Sequence, residues 1–276
     1  MDETTFDKVI ELITQRIGII PRDSHKTGIK NYIEKRMEEI EEESGEEINY
    51  LDFLSSYPDE MMNLINSATV NETYFFREEA QFDLLKTKIL PEIKMTKPLM
   101  PVRIWSAASS SGEEIYSIRL LASSMNIRTD CTASDINTKV LDTCRKGQYK
   151  KNAIRAVDGS HYHNLLKPYM QEDGTFKLPD EICNRITLKQ INLSKMKDFP
   201  KNQDIVFLRN VFIYFSQEMK KQILQSIADE SLVPGGYLFL SMNEVATIDN
   251  ATIPGNLEKI SDGRVFYFHK KMQVVV

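Results

Sequence analysis

The sequence predicts an α/β protein: an open, mostly parallel sheet with a small antiparallel β-subdomain, preceded by an all-α N-terminal domain. Three observations predict it. Residues 1–70 carry apolar positions at helical spacing and no strand-like run. From Val102 onward, short apolar runs alternate with helical stretches, the signature of parallel strands joined by crossover helices. Two last short runs flank Asp262-Gly263 and read as an antiparallel pair closing the sheet.

In chain order, Phe6, Val9, Ile10, Ile13 and Ile17 form an apolar stripe ended by Gly18 and Pro21. Ile29, Tyr32, Ile33, Met37 and Ile40 form a second. Its helix is electrically divided, with Arg22, Lys26, Lys30, Lys35 and Arg36 before a glutamate-rich stretch over residues 38–47. Such a charge run is ordinarily a solvated face, and its basic end is suited to steering an acidic partner. Leu51, Phe53 and Leu54, then Met61, Met62, Leu64 and Ile65, predict two short helices joined near Tyr57-Pro58. A bundle this small buries little area alone.

Next comes Asn71-Glu72-Thr73-Tyr74-Phe75-Phe76-Arg77, whose aromatics are expected to plug the joint between domains. A helix with Phe82, Leu84, Leu85, Ile89 and Leu90 should stop near Pro91. The predicted domains are thus helical 1–70, a linker and helix over 71–98, and an α/β domain over 99–276. A helix follows Asn137 to about Gly147, and the stretch from Tyr149 to Tyr169 reads as irregular to helical. Phe176-Lys177-Leu178 and residues 185–189 are expected to pair with each other around Pro179, making the small β-subdomain at about 172–190. Residues 205–208 form an unalternating apolar strand, as in a sheet covered on both faces. A helix over 217 to about 231, a Pro234-Gly235-Gly236 turn and a strand over 237–241 continue the alternation.

Val102 to Ser117 carries the functional signal. The run Val102, Ile104, Trp105 is a buried strand, residues 106–112 are small, and a helix starts near Glu113. Open α/β sheets hold nucleoside-type ligands at such a turn, outside the strand ends. Asp135 ends the next apolar run about twenty residues on, where an acidic side chain accepts from ribose hydroxyls. A dinucleotide site wants G-x-G-x-x-G; here serine and alanine replace most of those glycines, and Glu113-Glu114 would repel phosphate. The pair suits a positively charged ligand such as S-adenosylmethionine. The same residues also make a ligand-free strand-turn-helix with dipole-favourable glutamates. Arg209, Asn210 and Tyr214 follow the strand over 205–208 and fall on the same predicted rim, although a tyrosine among apolar neighbours is commonly a packed core residue.

Composition excludes other classes. The net charge of −5 lacks the basic footprint of nucleic-acid binding. No apolar run approaches a membrane span, and Met1-Asp2-Glu3 is no signal-peptide start. The three cysteines, Cys131, Cys144 and Cys183, lack paired spacing, which implies a reducing cytoplasm and inert thiols. His161 and His163 have no carboxylate or cysteine at ligand spacing, so no metal is expected.

Four stretches in order resemble the CheR family of chemotaxis-receptor methyltransferases: residues 71–77, residues 105–114 (Trp-Ser-Ala-Ala-Ser-Ser-Ser-Gly-Glu-Glu), residues 133–137 (Ala-Ser-Asp-Ile-Asn) and residues 209–215 (Arg-Asn-Val-Phe-Ile-Tyr-Phe). The resemblance covers nearly the whole chain. It implies a Rossmann-like, seven-stranded S-adenosylmethionine-dependent methyltransferase sheet behind an all-helical domain, with an inserted small β-subdomain. Its implied substrates are glutamate side chains on the cytoplasmic helical region of chemoreceptors, and its implied product is S-adenosylhomocysteine. By resemblance, Asn71, Thr73 and Arg77 contact the cofactor, with Arg77 also near the reacting centre. Glu114, Asp135, Asn192, Leu193, Asn210 and Val211 complete the implied cofactor set, and Tyr214 matches the active-site tyrosine. Ile115 stands where the family commonly has proline, and Asn137 where it has an acid. The appendage is short for gripping a receptor tail peptide. A monomer acting in the cytoplasm, without membrane insertion, is expected. The alternatives are a sensor or docking module that binds S-adenosylmethionine without transferring methyl, and a dinucleotide-dependent oxidoreductase, which the glycine-poor turn disfavours.

Overall fold

The computed structural model describes residues 1–154 and 160–272. Its contacts divide the chain into Met1–Val70 with Tyr214–Ser216, and Asn71–Ile213 with Gln217–Val276.

The first unit is helical: α1 (Glu3–Ile17), α2 (Asp23–Ser44), α3 (Tyr50–Ser56) and α4 (Pro58–Ala68). Asp2 caps α1 by accepting the Thr5 N–H, and Gly18 ends it at φ 72°. Phe6, Val9, Ile13 and Ile17 bury the predicted stripe. On α4, turned toward α2 and α3, is a carboxylate the pattern did not announce. Glu60, buried at 3% exposure, accepts from Tyr32 Oη (3.1 Å), Tyr50 Oη (2.9 Å) and Arg36 Nε (3.0 Å). On the surface of α2, Lys26, Lys30 and Lys35 pair with Asp23, Glu34 and Glu39.

The second unit opens with the 71–77 loop. Its aromatics are not a plug at a domain joint: Phe75 and Phe76 are fully buried in this unit's own core. Phe75 meets Tyr149 (5.1 Å) and Phe176 (4.8 Å), and Phe76 stacks on Tyr162 at 4.5 Å. Helix α5 (Glu79–Leu84) then runs through a π turn, Leu85–Ile89, into α6 (Leu90–Thr96). Pro91 therefore does not stop the helix. It sits in the first turn of α6, and the Leu90 N–H reaches back to the Leu85 carbonyl, a wider repeat that accommodates a residue lacking a donor.

The sheet elements follow: β1 (Val102–Ser106), α7 (Glu113–Ser124), β2 (Thr129–Asp135), α8 (Thr138–Lys146), β3 (Gln148–Tyr149), α9 (His163–Leu166), β4 (Phe176–Lys177), α10 (Asp180–Cys183), β5 (Ile186–Gln190), β6 (Gln203–Phe207), α11 (Gln217–Ser226), β7 (Leu232–Phe239), α12 (Met242–Val245), β8 (Leu257–Asp262) and β9 (Val265–Lys270). Seven strands form one sheet in the order β5-β2-β1-β6-β7-β9-β8. The first five are parallel and β9 runs antiparallel to β7, hairpinned to β8. Trp105 on β1 pairs with Thr132 and Val206, so the chain leaves β1 in opposite directions on its two flanks. In open α/β sheets ligands bind at such a reversal, outside the carboxyl ends of the strands, which here are those of β1, β2 and β6.

Two expectations need correction. The antiparallel appendage exists, but β4 pairs with β3 and not with residues 185–189. Those residues form β5, the parallel edge strand beside β2, and α10 separates them from β4. One buried face, Ile186, suffices for an edge strand and also imitates a hairpin arm. Likewise the Pro234-Gly235-Gly236 turn is an irregular part of β7, where the register against β6 shifts. Of the stretch from Tyr149 to Tyr169, residues 155–159 lie outside the described residues.

Candidate active site

The turn after β1 is stitched to both neighbouring strands. The Ala107 N–H donates to the Phe207 carbonyl (2.8 Å) and the Ser109 N–H to the Ser134 carbonyl (2.9 Å). The chain then turns through Ser110 (φ 48°) and Gly112 (φ 96°). A Cβ on Gly112 would lie 2.3 Å from Cys144 Sγ and 3.2 Å from Tyr116 Cε2. This glycine is thus fixed by packing against α8 as well as by its backbone angle.

Asp135, at the end of β2, faces the turn. Its Oδ2 accepts the Ser110 N–H (2.9 Å) and its Oδ1 the Asn137 N–H (3.0 Å). Burial pushes its carboxyl above the usual range, while these backbone bonds pull the other way. Both oxygens are thus held by backbone N–H groups, one from the turn after β1 and one from the loop after β2. Asn71 joins this group, its carbonyl accepting from Ser110 Oγ (3.3 Å), and the Ile191 N–H donates to the Asp135 carbonyl (3.1 Å). Asn192 follows, its side chain accepting from the Ser194 N–H (3.0 Å) and hydroxyl (2.8 Å), with Leu193 buried beside it. Thr73 is half-buried in the 71–77 loop.

The acidic pair at the start of α7 does not act as a pair, because adjacent helical positions point about 100° apart. Glu113 turns inward, takes a hydrogen bond from Ser111 Oγ (2.7 Å), and is held above the usual carboxylate range by burial. Glu114 accepts from Ser106 Oγ (2.7 Å) and from Arg209 Nη1 (2.9 Å). Arg209 is buried and central: it also donates to the Arg77 carbonyl (2.7 Å) and pairs with Glu78 at 3.4 Å. One arginine thereby ties the 71–77 loop, the start of α7 and the end of β6 together. Arg77 itself donates to the Glu72 carbonyl (2.9 Å), with its guanidinium 5.5 Å from the Tyr74 ring centre. Phe76 (φ 54°) and Glu78 (φ 61°) flank it in left-handed backbone, a costly conformation held by the buried phenyls.

Beyond β6, Asn210 also adopts φ 60°, and Val211 is half-buried next to it. A further carboxylate, missed by the sequence reading, anchors them. Glu244 accepts the N–H of Asn210 (2.7 Å) and of Phe212 (2.7 Å). The available signal was the Ser241-Met-Asn-Glu244 capping box behind β7. The structure brings Asn71, Arg77, Glu114, Asp135, Asn192 and Asn210 onto elements linked by these bonds. Tyr214 belongs to the other unit, where its carbonyl accepts the Ile20 N–H (2.9 Å) and its ring lies 5.7 Å from that of His25. His161 rests against Asp83 (2.9 Å), and among the described residues no metal-binding group of three His, Cys, Asp or Glu occurs.

This donor set fits a cationic nucleoside: Asp135 and Glu114 place carboxylates beside the turn, the turn over residues 106–112 carries a single glycine, and the Ser109 hydroxyl is buried in it without a protein partner. Residues 71–258 match the family described as "CheR methyltransferase, SAM binding domain". The chain belongs to the CheR family. It is 32% identical to chemotaxis protein methyltransferase 2 of Vibrio cholerae, covering 88% of this chain and 85% of that one. Identity to the chemotaxis protein methyltransferase of Vibrio parahaemolyticus is 37% over 66% of this chain and 68% of that one. The Escherichia coli chemotaxis protein methyltransferase is 30% identical over 88% of this chain and 85% of its own. Within this CheR-family site, Arg209 stood on the predicted rim without an assigned partner; its pairing with Glu114, 95 positions away, is a purely tertiary fact.

Proposed function

We propose that this CheR-family protein methylates glutamate side chains on the cytoplasmic helical region of chemoreceptors, forming methyl esters, as a cytoplasmic monomer that needs no metal. When bound, S-adenosylmethionine would supply a sulfonium methyl whose carbon bonds to the acceptor carboxylate oxygen as its bond to sulfur breaks, with S-adenosylhomocysteine as the leaving group. The acceptor needs no activation, because a glutamate with a reference pKa of about 4.3 is already anionic near neutrality. The chain's contribution is therefore placement, which in favourable cases lowers a barrier by about 7–11 kcal/mol.

Asn71, Thr73, Asn192, Leu193, Asn210 and Val211 are assigned to hold the cofactor, with Asp135 accepting from its ribose. Glu114 contributes negative potential that Arg209 only partly offsets, since Glu78 shares the same guanidinium. Arg77 is assigned to orient the acceptor carboxylate. Its bond to Glu72 and its place over Tyr74 restrict its rotamers before substrate arrives, while other N–H donors of the fork remain for a carboxylate. Tyr214 is assigned to the acceptor from the 209–215 motif alone.

The observation that carries this reading is the buried Arg209, whose bonds fix the Arg77 backbone to the cofactor-side Glu114. The test is transfer of labelled methyl to receptor fragments. Base-labile label should accumulate on the fragments, Arg77→Ala should lower kcat/KM by about 100-fold, and Tyr214→Phe should lower it less. Wild-type turnover in both variants would remove those residues from the mechanism, and absence of label with the native protein would refute the function.

A further inference from the structure

Glu244 lies 34 positions beyond Asn210 and meets it through the Asn210 backbone amide. It is 1% exposed, and its carboxylate sits among backbone amides. Oε2 accepts from Asn210 N–H at 2.7 Å and Ser241 N–H at 3.2 Å; Oε1 accepts from Phe212 N–H at 2.7 Å. Two short, charge-assisted bonds thus grip alternate amides of one loop. That loop needs gripping. Asn210 stands at φ 60°, and a short helical turn, Phe212–Tyr214, begins two residues later.

We infer that Glu244 is a positioning residue: its carboxylate clamps the Asn210 and Phe212 amides and so sets the Asn210 side chain in place for the cofactor. This rests on the cofactor assignment of Asn210 proposed above. The amide of Asn210 is consumed by the clamp, so Asn210 engages the cofactor through its side chain or carbonyl and not its N–H. The charge matters as well as the shape. A glutamine in the same place turns an NH₂ toward one of the two amide donors, breaking one grip and weakening the other.

The experiment is a double-mutant cycle read by calorimetric binding of S-adenosylhomocysteine, with Tm recorded for each variant. Glu244→Gln should raise Kd by roughly tenfold or more, the scale of one charge-assisted hydrogen bond. Asn210→Ala should raise it too, and the double variant should bind no more than about threefold worse than the weaker single variant, because both changes act through one side chain. Ser241→Ala, which loosens the cap of α12 but leaves both loop amides on Glu244, should lower Tm and leave Kd within about twofold. Multiplying losses in the double variant, wild-type Kd in Glu244→Gln, or a Kd raised equally by Ser241→Ala would each overturn the clamp. Should Glu244→Gln fail to fold, amide exchange of the native protein decides: the Asn210 and Phe212 N–H groups must be protected well beyond exposed loop amides, and loop-rate exchange refutes the inference. Failure of the native protein to bind S-adenosylhomocysteine would instead refute the cofactor assignment, so the two failures are separable.

Discussion

Gly112→Ala tests how the cofactor turn is built, and its cost can be worked from two separable contributions. The first is backbone: a Cβ in left-handed conformation costs about 1–2 kcal/mol, and φ 96° lies beyond the centre of that region. The second is packing, because the new methyl would stand 2.3 Å from Cys144 Sγ and 3.0 Å from its Cβ. Forced overpacking of a tight core costs about 1–3 kcal/mol. Together they give about 2–5 kcal/mol, or about 4–20 °C at about 2–4 °C per kcal/mol for a unit of this size. The assay is calorimetric unfolding, following the transition that S-adenosylhomocysteine shifts upward. Repeating Gly112→Ala in a Cys144→Ala background removes the 2.3 Å approach to sulfur and leaves the backbone contribution with the looser approaches to the residue-144 Cβ and Tyr116 Cε2. The penalty should therefore fall by about 1–3 kcal/mol. An equal penalty in both backgrounds, or one below about 1 kcal/mol in either, would refute the packing argument.

Other consequences follow from buried ionisable groups. Burial raises the Glu113 carboxyl, so between its ordinary and its native pKa the folded protein holds a proton that the unfolded chain releases. Stability from this group is then present at low pH and lost as pH rises through the native value. Tm measured against pH should show Glu113→Gln gaining on the native protein from acid toward neutrality; parallel curves would refute this. Burial pushes the Cys144 thiol up to about 12, and Cys131 and Cys183 are buried with raised thiols as well. A thiol reagent near pH 8 should label the folded protein slowly and all three cysteines in denaturant; rapid labelling of the native fold would contradict it.

What was legible in the sequence were features written over a few consecutive residues. The small-residue turn before Glu113, the strand ending at Asp135 and the hairpin at Asp262-Gly263 each carry their own local pattern, and the fold keeps them. What was illegible depends on partners far along the chain. Residues 185–189 carry an alternation that fits a hairpin arm or an edge strand, and only the proximity of β2 decides. Pro91 normally closes a helix, but the π turn before it is invisible to periodicity. Glu113 and Glu114 read as one acidic pair until a local bond gives one to Ser111 and a tertiary contact gives the other to Arg209. Glu60 and Glu244 resemble surface acids in the string of letters, and become hubs only when tyrosines, an arginine or loop amides gather round them.

The burial of Phe75 and Phe76 bears on how the site can move. A flap that swings with every catalytic cycle must be cheap to detach. Lifting this one would return two phenyl rings to water, at about 1.5–3 kcal/mol each, besides breaking the Phe76 N–H bond to Ser117 Oγ. Such an excursion approaches the cost of melting the surrounding core. The arginine-bearing arm is accordingly a fixed jaw built into its own core rather than a hinged cover.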